Sequence, residues 1–113
     1  MAATGQFRGP FSMKVLVYAP HAAIWVHAFP EALIGDALRQ SGHEIVYVTC
    51  GGLFERYCVA MSANRLGFDA THAERRKVCD QCTRNAGRLR AGFEFVGPVL
   101  RDCLTPADVD EVE

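Results

Sequence analysis

The sequence predicts an α/β fold in which a parallel sheet is flanked by helices, and three observations predict it. Two short apolar runs, Lys14-Val-Leu-Val-Tyr-Ala19 and Glu44-Ile-Val-Tyr-Val-Thr49, have the Val, Ile, Leu and Tyr content and weak alternation of strands covered on both faces. A helical pattern lies between them and ends at Ser41-Gly42-His43. Strand, helix, strand in this order forms a right-handed βαβ unit.

Punctuation places the helix. Proline suits a first helical turn, where its missing N–H is not needed, so Pro30 puts the start near Ala28. Gly42 supplies a left-handed stop. Leu33, Ile34, Ala37 and Leu38 then form the inward stripe, with Glu31, Asp36, Arg39 and Gln40 outside. The segment Pro20 to His27 becomes the loop at the carboxyl end of the first strand, where open α/β sheets place their ligands.

After the second strand, Cys50-Gly51-Gly52 reads as a turn. Leu53 to Leu66 reads as a helix closed by Gly67, and Ala73 to Arg90 as a polar helix stopped by Gly92. The inward stripe of that polar helix is Val78, Cys79, Cys82, Ala86 and Leu89. Phe93 to Val96 reads as a third strand. Thr105-Pro106 followed by acidic residues is a strong helix start, and the absence of a matching stop suggests a chain cut from something longer. Residues 1–12, with Gly5, Gly9, Pro10 and Ser12, read as a flexible leader or tag remnant and are set aside.

A chain of 113 residues and 12.4 kDa holds one domain at most and is small for a complete α/β enzyme. Its net charge of −1 gives no global signature of a nucleic-acid binder. Charge is segregated, however. His72 to Gly92 holds six basic residues against two acidic ones, whereas Asp102 to Glu113 holds five acidic and no basic residues. The basic helix face offers a peripheral contact with an anionic membrane surface, beside the plainer reading of a solvated face. No apolar run reaches the roughly 20 residues of a membrane span, and a cytoplasmic location is the expectation.

Cysteines in such a chain are read as thiols or metal ligands before disulfides. Cys79-Asp-Gln-Cys82 has the C-x-x-C spacing that chelates Zn²⁺, and Cys50 and Cys58 complete a set of four thiolates for a closed tetrahedral structural site. The other reading is small buried thiols lining helix faces. His27 stands just before the helix, where the positive end of the dipole favours a neutral ring able to accept a proton. A loop histidine tying down carbonyls is the alternative. His21 shares the loop. Trp25 offers either an aromatic platform for an acceptor's sugar ring or lipid portion, or simple packing over the sheet edge. There is no G-x-G-x-x-G and no P-loop, so a dinucleotide site is not expected.

His27-Ala-Phe-Pro30, Ala37-Leu38-Arg39 and Ser41-Gly42-His43-Glu44-Ile45-Val46 together resemble the amino-terminal signature of GT-B glycosyltransferases. The cysteine pattern from Cys50 through Cys58 to Cys79 and Cys82 is similar to that of bacterial surface and capsule polysaccharide glycosyltransferases. The resemblance implies that residues 13–113 are a Rossmann-like, acceptor-side domain, truncated at its carboxyl end. It implies that a separate carboxyl-terminal domain binds a nucleotide-sugar donor, and that a saccharide or lipid-linked acceptor binds here. His27 is then the base that deprotonates the acceptor hydroxyl, with His21 and Trp25 beside it. Transfer needs no catalytic metal, and the chain alone is not expected to transfer sugar. The competing expectation is a self-contained, cysteine-rich α/β binding module stabilised by zinc, without catalysis.

Overall fold

A computed structural model describes residues 12–112 as a mixed α/β fold. Strands β1 (Lys14–Tyr18) and β2 (Glu44–Val48) pair in parallel, with Lys14 opposite Glu44 and Tyr18 opposite Val48. Helix α1 (Trp25–Gln40) connects them, as the apolar runs predict. It begins ahead of the expected start because the chain winds up earlier: Ile24 N–H donates to the His21 carbonyl at 2.9 Å, and Ala28 N–H to the Ile24 carbonyl at 3.0 Å. Pro30 therefore lies inside the helix and deprives the Val26 carbonyl of a helical partner. Val26 is 75% exposed, so solvent can take that bond.

The end of α1 follows the expectation. Gly42 has φ 98°, its N–H reaches the Arg39 carbonyl at 3.0 Å, and His43 N–H reaches the Leu38 carbonyl at 3.1 Å. These two bonds form a Schellman stop. The inward face does not follow it. Ala28, Ala32 and Gly35 are buried, while Leu33 and Ile34 are 48% and 65% exposed. Small residues let the helix approach closely: a Cβ at Gly35 would meet the Phe95 ring at 3.3 Å.

The expected helix over Leu53 to Leu66 is divided. A 3₁₀ turn (Glu55–Tyr57) is followed by α2 (Val59–Ala63), because Cys58 is extended and caps the second piece, its Sγ accepting from Ala60 N–H at 3.4 Å. Helix α2 closes at Arg65, at φ 64°, rather than at Gly67. Helix α3 (His72–Phe93) starts at a capping box in which Thr71 and Glu74 bond each other's backbone N–H. It runs through Gly92 and ends where Glu94 turns left-handed at φ 58°.

Phe93 thus closes a helix rather than opening a strand. The chain beyond it still runs beside β2 through isolated parallel bridges, Val96 to Val46 and Val99 to Thr49. Tyr47 N–H donates to the Val96 carbonyl at 2.9 Å. Arg90 fastens this segment, donating to the Gly97 carbonyl at 2.9 Å and to Thr49 Oγ1 at 2.9 Å. One of the expected outer-face cations is therefore turned inward. Helices α4 (Leu100–Cys103) and α5 (Pro106–Val112) end the described chain, with Thr105 and Asp108 capping α5 reciprocally as its sequence predicts.

The main core joins Ala28 and Ala32 of α1, Ala86 and Leu89 of α3, Ile45 and Tyr47 of β2, and Phe95. Val15 and Val17 of β1 pack against it. Leu16 and Tyr18 point to the opposite face of the sheet, where they are 64% and 44% exposed. Val48, opposite Tyr18 in register, is 5% exposed, so among the described residues the far face is open at β1 and covered at the end of β2; the expected burial on both faces fails for β1. The leader expected over residues 1–12 lies outside the described residues except for Ser12, whose hydroxyl donates to the Gly42 carbonyl at 2.8 Å. No helix among the described residues is long and apolar enough to cross a membrane.

Candidate functional site at the carboxyl ends of the strands

Two groups of predicted residues meet at the end of the sheet where β1 and β2 finish. The first is the loop between β1 and α1. It is tied to α3 from beneath: Asn85 Nδ2 donates to the Ala22 carbonyl at 2.9 Å, and the Cys82 thiol to the Pro20 carbonyl at 3.5 Å. Asn85 is 5% exposed, and its Oδ1 accepts from Gln81 Nε2 at 2.7 Å. Sequence reasoning missed Asn85, although its place one turn before Leu89 on the inward stripe was a usable signal.

His27 is exposed in the first turn of α1. His21 is half-buried in the turn that starts the helix, where its carbonyl accepts from Ile24 N–H. Trp25 stacks on Phe29 with centroids 5.5 Å apart, and Phe29 meets Phe93 at 6.1 Å. Phe93 continues to Phe95 at 5.4 Å and Phe95 to Tyr47 at 4.7 Å, so an aromatic row runs from the surface into the core. Trp25 is the outer end of that row, 39% exposed. Trp25 and His27 are two positions apart on one helix and therefore face different directions.

The second group is the cysteines. Cys50 leaves β2, Cys58 caps α2, and Cys79 and Cys82 lie on successive turns of α3; all four line one small cavity of about 10 Å³, together with Pro20, Phe54 and Glu55. Cys103 is exposed on α4 and does not line it. As they are placed, no three His, Cys, Asp or Glu side chains among the described residues form a group that could hold a metal ion. Burial, reinforced by Glu55 and the neighbouring thiols, pushes Cys79 up to about 11. Burial also raises Cys82, against N–H groups of Ala23 and Ala22 that pull it down. These are protonated, sluggish thiols rather than poised nucleophiles.

A third cluster was not anticipated. Glu55 Oε1 lies 2.7 Å from His72 Nδ1 and 3.1 Å from Arg75 Nε, beside a groove of about 500 Å³. Bonds from His72 and Arg75 outweigh burial and hold the Glu55 carboxyl below its ordinary range. The capping box was the available signal, since it sets His72 and Arg75 three apart on one helix face.

Comparison with protein-family models, curated proteins and solved structures finds no match to this chain.

Proposed function

We propose that this chain is the acceptor-side domain of a GT-B glycosyltransferase that moves a sugar from a nucleotide-sugar to a saccharide or lipid-linked acceptor. The observation that carries the reading is an exposed histidine, His27, in the first turn of the helix that follows β1 of a parallel βαβ unit. A ligand arriving at the carboxyl ends of the strands meets that turn.

Two features of the fold support it. The segment carrying Val96 and Val99 lies beside β2 on the side away from β1, which gives the spatial order third, second, first. Helices α1 and α3 pack on one face, and the far face of β1, at Leu16 and Tyr18, stays open among the described residues. That strand order supports the reading, since one half of a doubly wound, Rossmann-like sheet would have it.

In the proposed reaction His27 accepts the proton of the acceptor hydroxyl. The oxygen attacks the anomeric carbon, and the sugar leaves its nucleoside diphosphate, which a separate donor-binding domain holds. His21 and the exposed edge of Trp25 flank the acceptor's approach from either side of the helix start. No catalytic metal is required. Arg84 and Arg88, exposed on α3, suit an anionic membrane surface when the acceptor is lipid-linked.

The test is an assay of the complete gene product with a panel of nucleotide-sugars and hydroxyl acceptors. The reading predicts acceptor-dependent release of nucleoside diphosphate by the complete product and none by this 113-residue chain alone. No acceptor-dependent release by the complete product would overturn it.

A further inference from the structure

Two neighbouring grooves flank the 3₁₀ turn and share Arg56, Tyr57 and Arg75 in their linings. One is the groove of about 500 Å³ beside Glu55 and His72; the other, of about 710 Å³, runs along α2 and has the size of a small-molecule site. Their linings differ in chemistry. Val59, Met61, Leu66 and Phe68 give the larger groove an apolar surface, whereas His72 and Glu55 belong to the smaller one. His21, Trp25 and His27 line neither, so the pair is independent of the sugar-transfer reading.

We infer that the paired grooves bind one amphiphilic phosphate ester, its alkyl chain lying along Met61 and Leu66 and its phosphate meeting Arg56 and Arg75. The apolar half is built from side chains that the fold leaves uncovered. Phe68 is 99% exposed, and Tyr57 and Val59 are each more than half exposed, yet all three stand on one groove instead of being scattered singly. The floor is preformed. Met61 is buried in a cluster with Val78 and Cys79 of α3, and Leu66 packs against that cluster.

The charged half selects the head group. Arg56 has no ion-pair partner among the described residues. Arg75 is held by Glu55 through Nε and by the Ala70 carbonyl through Nη1, which leaves N–H groups of its guanidinium uncommitted. Glu55 is the one acid of the two linings among the described residues, and Arg75 and His72 already answer it. An incoming anion therefore meets surplus positive charge. Two guanidinium groups beside an imidazole match the high charge and three acceptor oxygens of a phosphate better than the single charge of a carboxylate. The Asp69 carboxylate stands at the other end, 3.0 Å from where a Cβ on Gly67 would be. It repels a phosphate there and so sets the direction of the chain.

Calorimetric titration of the protein with octyl phosphate below its micelle concentration, with inorganic phosphate and with octanoate tests the inference. Expected is saturable binding of one octyl phosphate per chain. It should be at least about tenfold tighter than inorganic phosphate, because the alkyl chain is buried, and about threefold or more tighter than octanoate, because the head is a phosphate. Arg56→Ala should weaken it about tenfold and Phe68→Ala about threefold, while Arg84→Ala, outside both linings, leaves it unchanged. Arg56 and Phe68 are exposed, so the circular dichroism of both variants should match wild type. Inorganic phosphate or octanoate binding as tightly as octyl phosphate would overturn the inference. So would an affinity unchanged in Arg56→Ala, or no binding by folded wild-type protein. Binding confined to phosphatidate vesicles and weakened by Arg84→Ala would place the lipid phosphate on the outer face of α3 and overturn it as well. None of these outcomes bears on nucleoside diphosphate release in the sugar-transfer assay.

Discussion

Asn85→Ala should loosen the loop that leads into α1, and the size of the effect follows from what Asn85 touches. Its side chain is buried at 5% exposure, and its amide is a hydrogen-bond donor to the carbonyl of Ala22, itself 0% exposed. Deleting the amide removes that bond and leaves a buried acceptor without it, which costs about 1–3 kcal/mol. At roughly 4–8 °C per kcal/mol for a small domain, the midpoint of thermal unfolding should fall by about 10 °C. Asn85→Asp sharpens the test. A carboxylate would face the Ala22 carbonyl with no proton to donate, whereas the protonated acid can still donate. Burial beside a carbonyl raises the folded-state pKa of the introduced acid above its unfolded value. The variant is therefore closest to wild type at acid pH and loses stability as pH rises. The assay is urea and thermal unfolding by circular dichroism across pH, with hydrogen exchange at Ala23 and Ile24 as a local readout. An Asn85→Ala midpoint within about 2 °C of wild type, or an Asn85→Asp penalty independent of pH, would refute the reasoning.

Other expectations are equally specific. The Tyr47 hydroxyl is buried without a hydrogen-bond partner among the described residues, and burial, with Glu31 nearby, pushes it up to about 12. Tyr47→Phe should therefore be neutral or stabilise by up to about 1 kcal/mol in urea unfolding; a loss above about 1 kcal/mol would reveal a partner for the hydroxyl. A Cβ at Gly97 would collide with the Tyr47 carbonyl and backbone, so Gly97→Ala should destabilise by about 3 kcal/mol and weaken exchange protection at Tyr47 N–H. The Glu55 carboxyl is held low when folded, so its contribution is present above its ordinary value of 4.5 and disappears as pH falls below it. Glu55→Gln should accordingly be less stable than wild type near neutrality and show a flatter acid limb; an unchanged acid limb would count against the His72 and Arg75 bonds.

Elements set by local chemistry were legible in the sequence. The apolar runs at Lys14 and Glu44 are strands in parallel, Gly42 does end α1, and Thr105 with Pro106 does start α5. The inward stripe of α3 held at Val78, Cys79, Ala86 and Leu89, with Asn85 added to it. What was illegible depended on distant partners. The sequence pattern of α1 favours Leu33 and Ile34 as its core, but contact with Phe95 selects the smaller Ala28, Ala32 and Gly35 instead. Gly92 is an adequate stop by composition, yet α3 runs past it to Phe93, whose ring takes its place in the aromatic row. Cys58 divides a continuous helical pattern because its sulfur caps α2, a role that residue type alone does not announce. For the site, the sequence separated two stretches that the fold makes neighbours, since Cys82 and Asn85 hold the very loop that carries His21.

The central claim is that His27 takes a proton from an acceptor hydroxyl. Steady-state kinetics of the complete gene product and its His27→Ala variant, with nucleotide-sugar saturating and acceptor varied, test it most directly. The account predicts kcat lower by about 10²–10⁴-fold with the acceptor KM changed little, the mark of a lost general base. Turnover within a few-fold of wild type would contradict it and leave His27 a surface residue of the first turn.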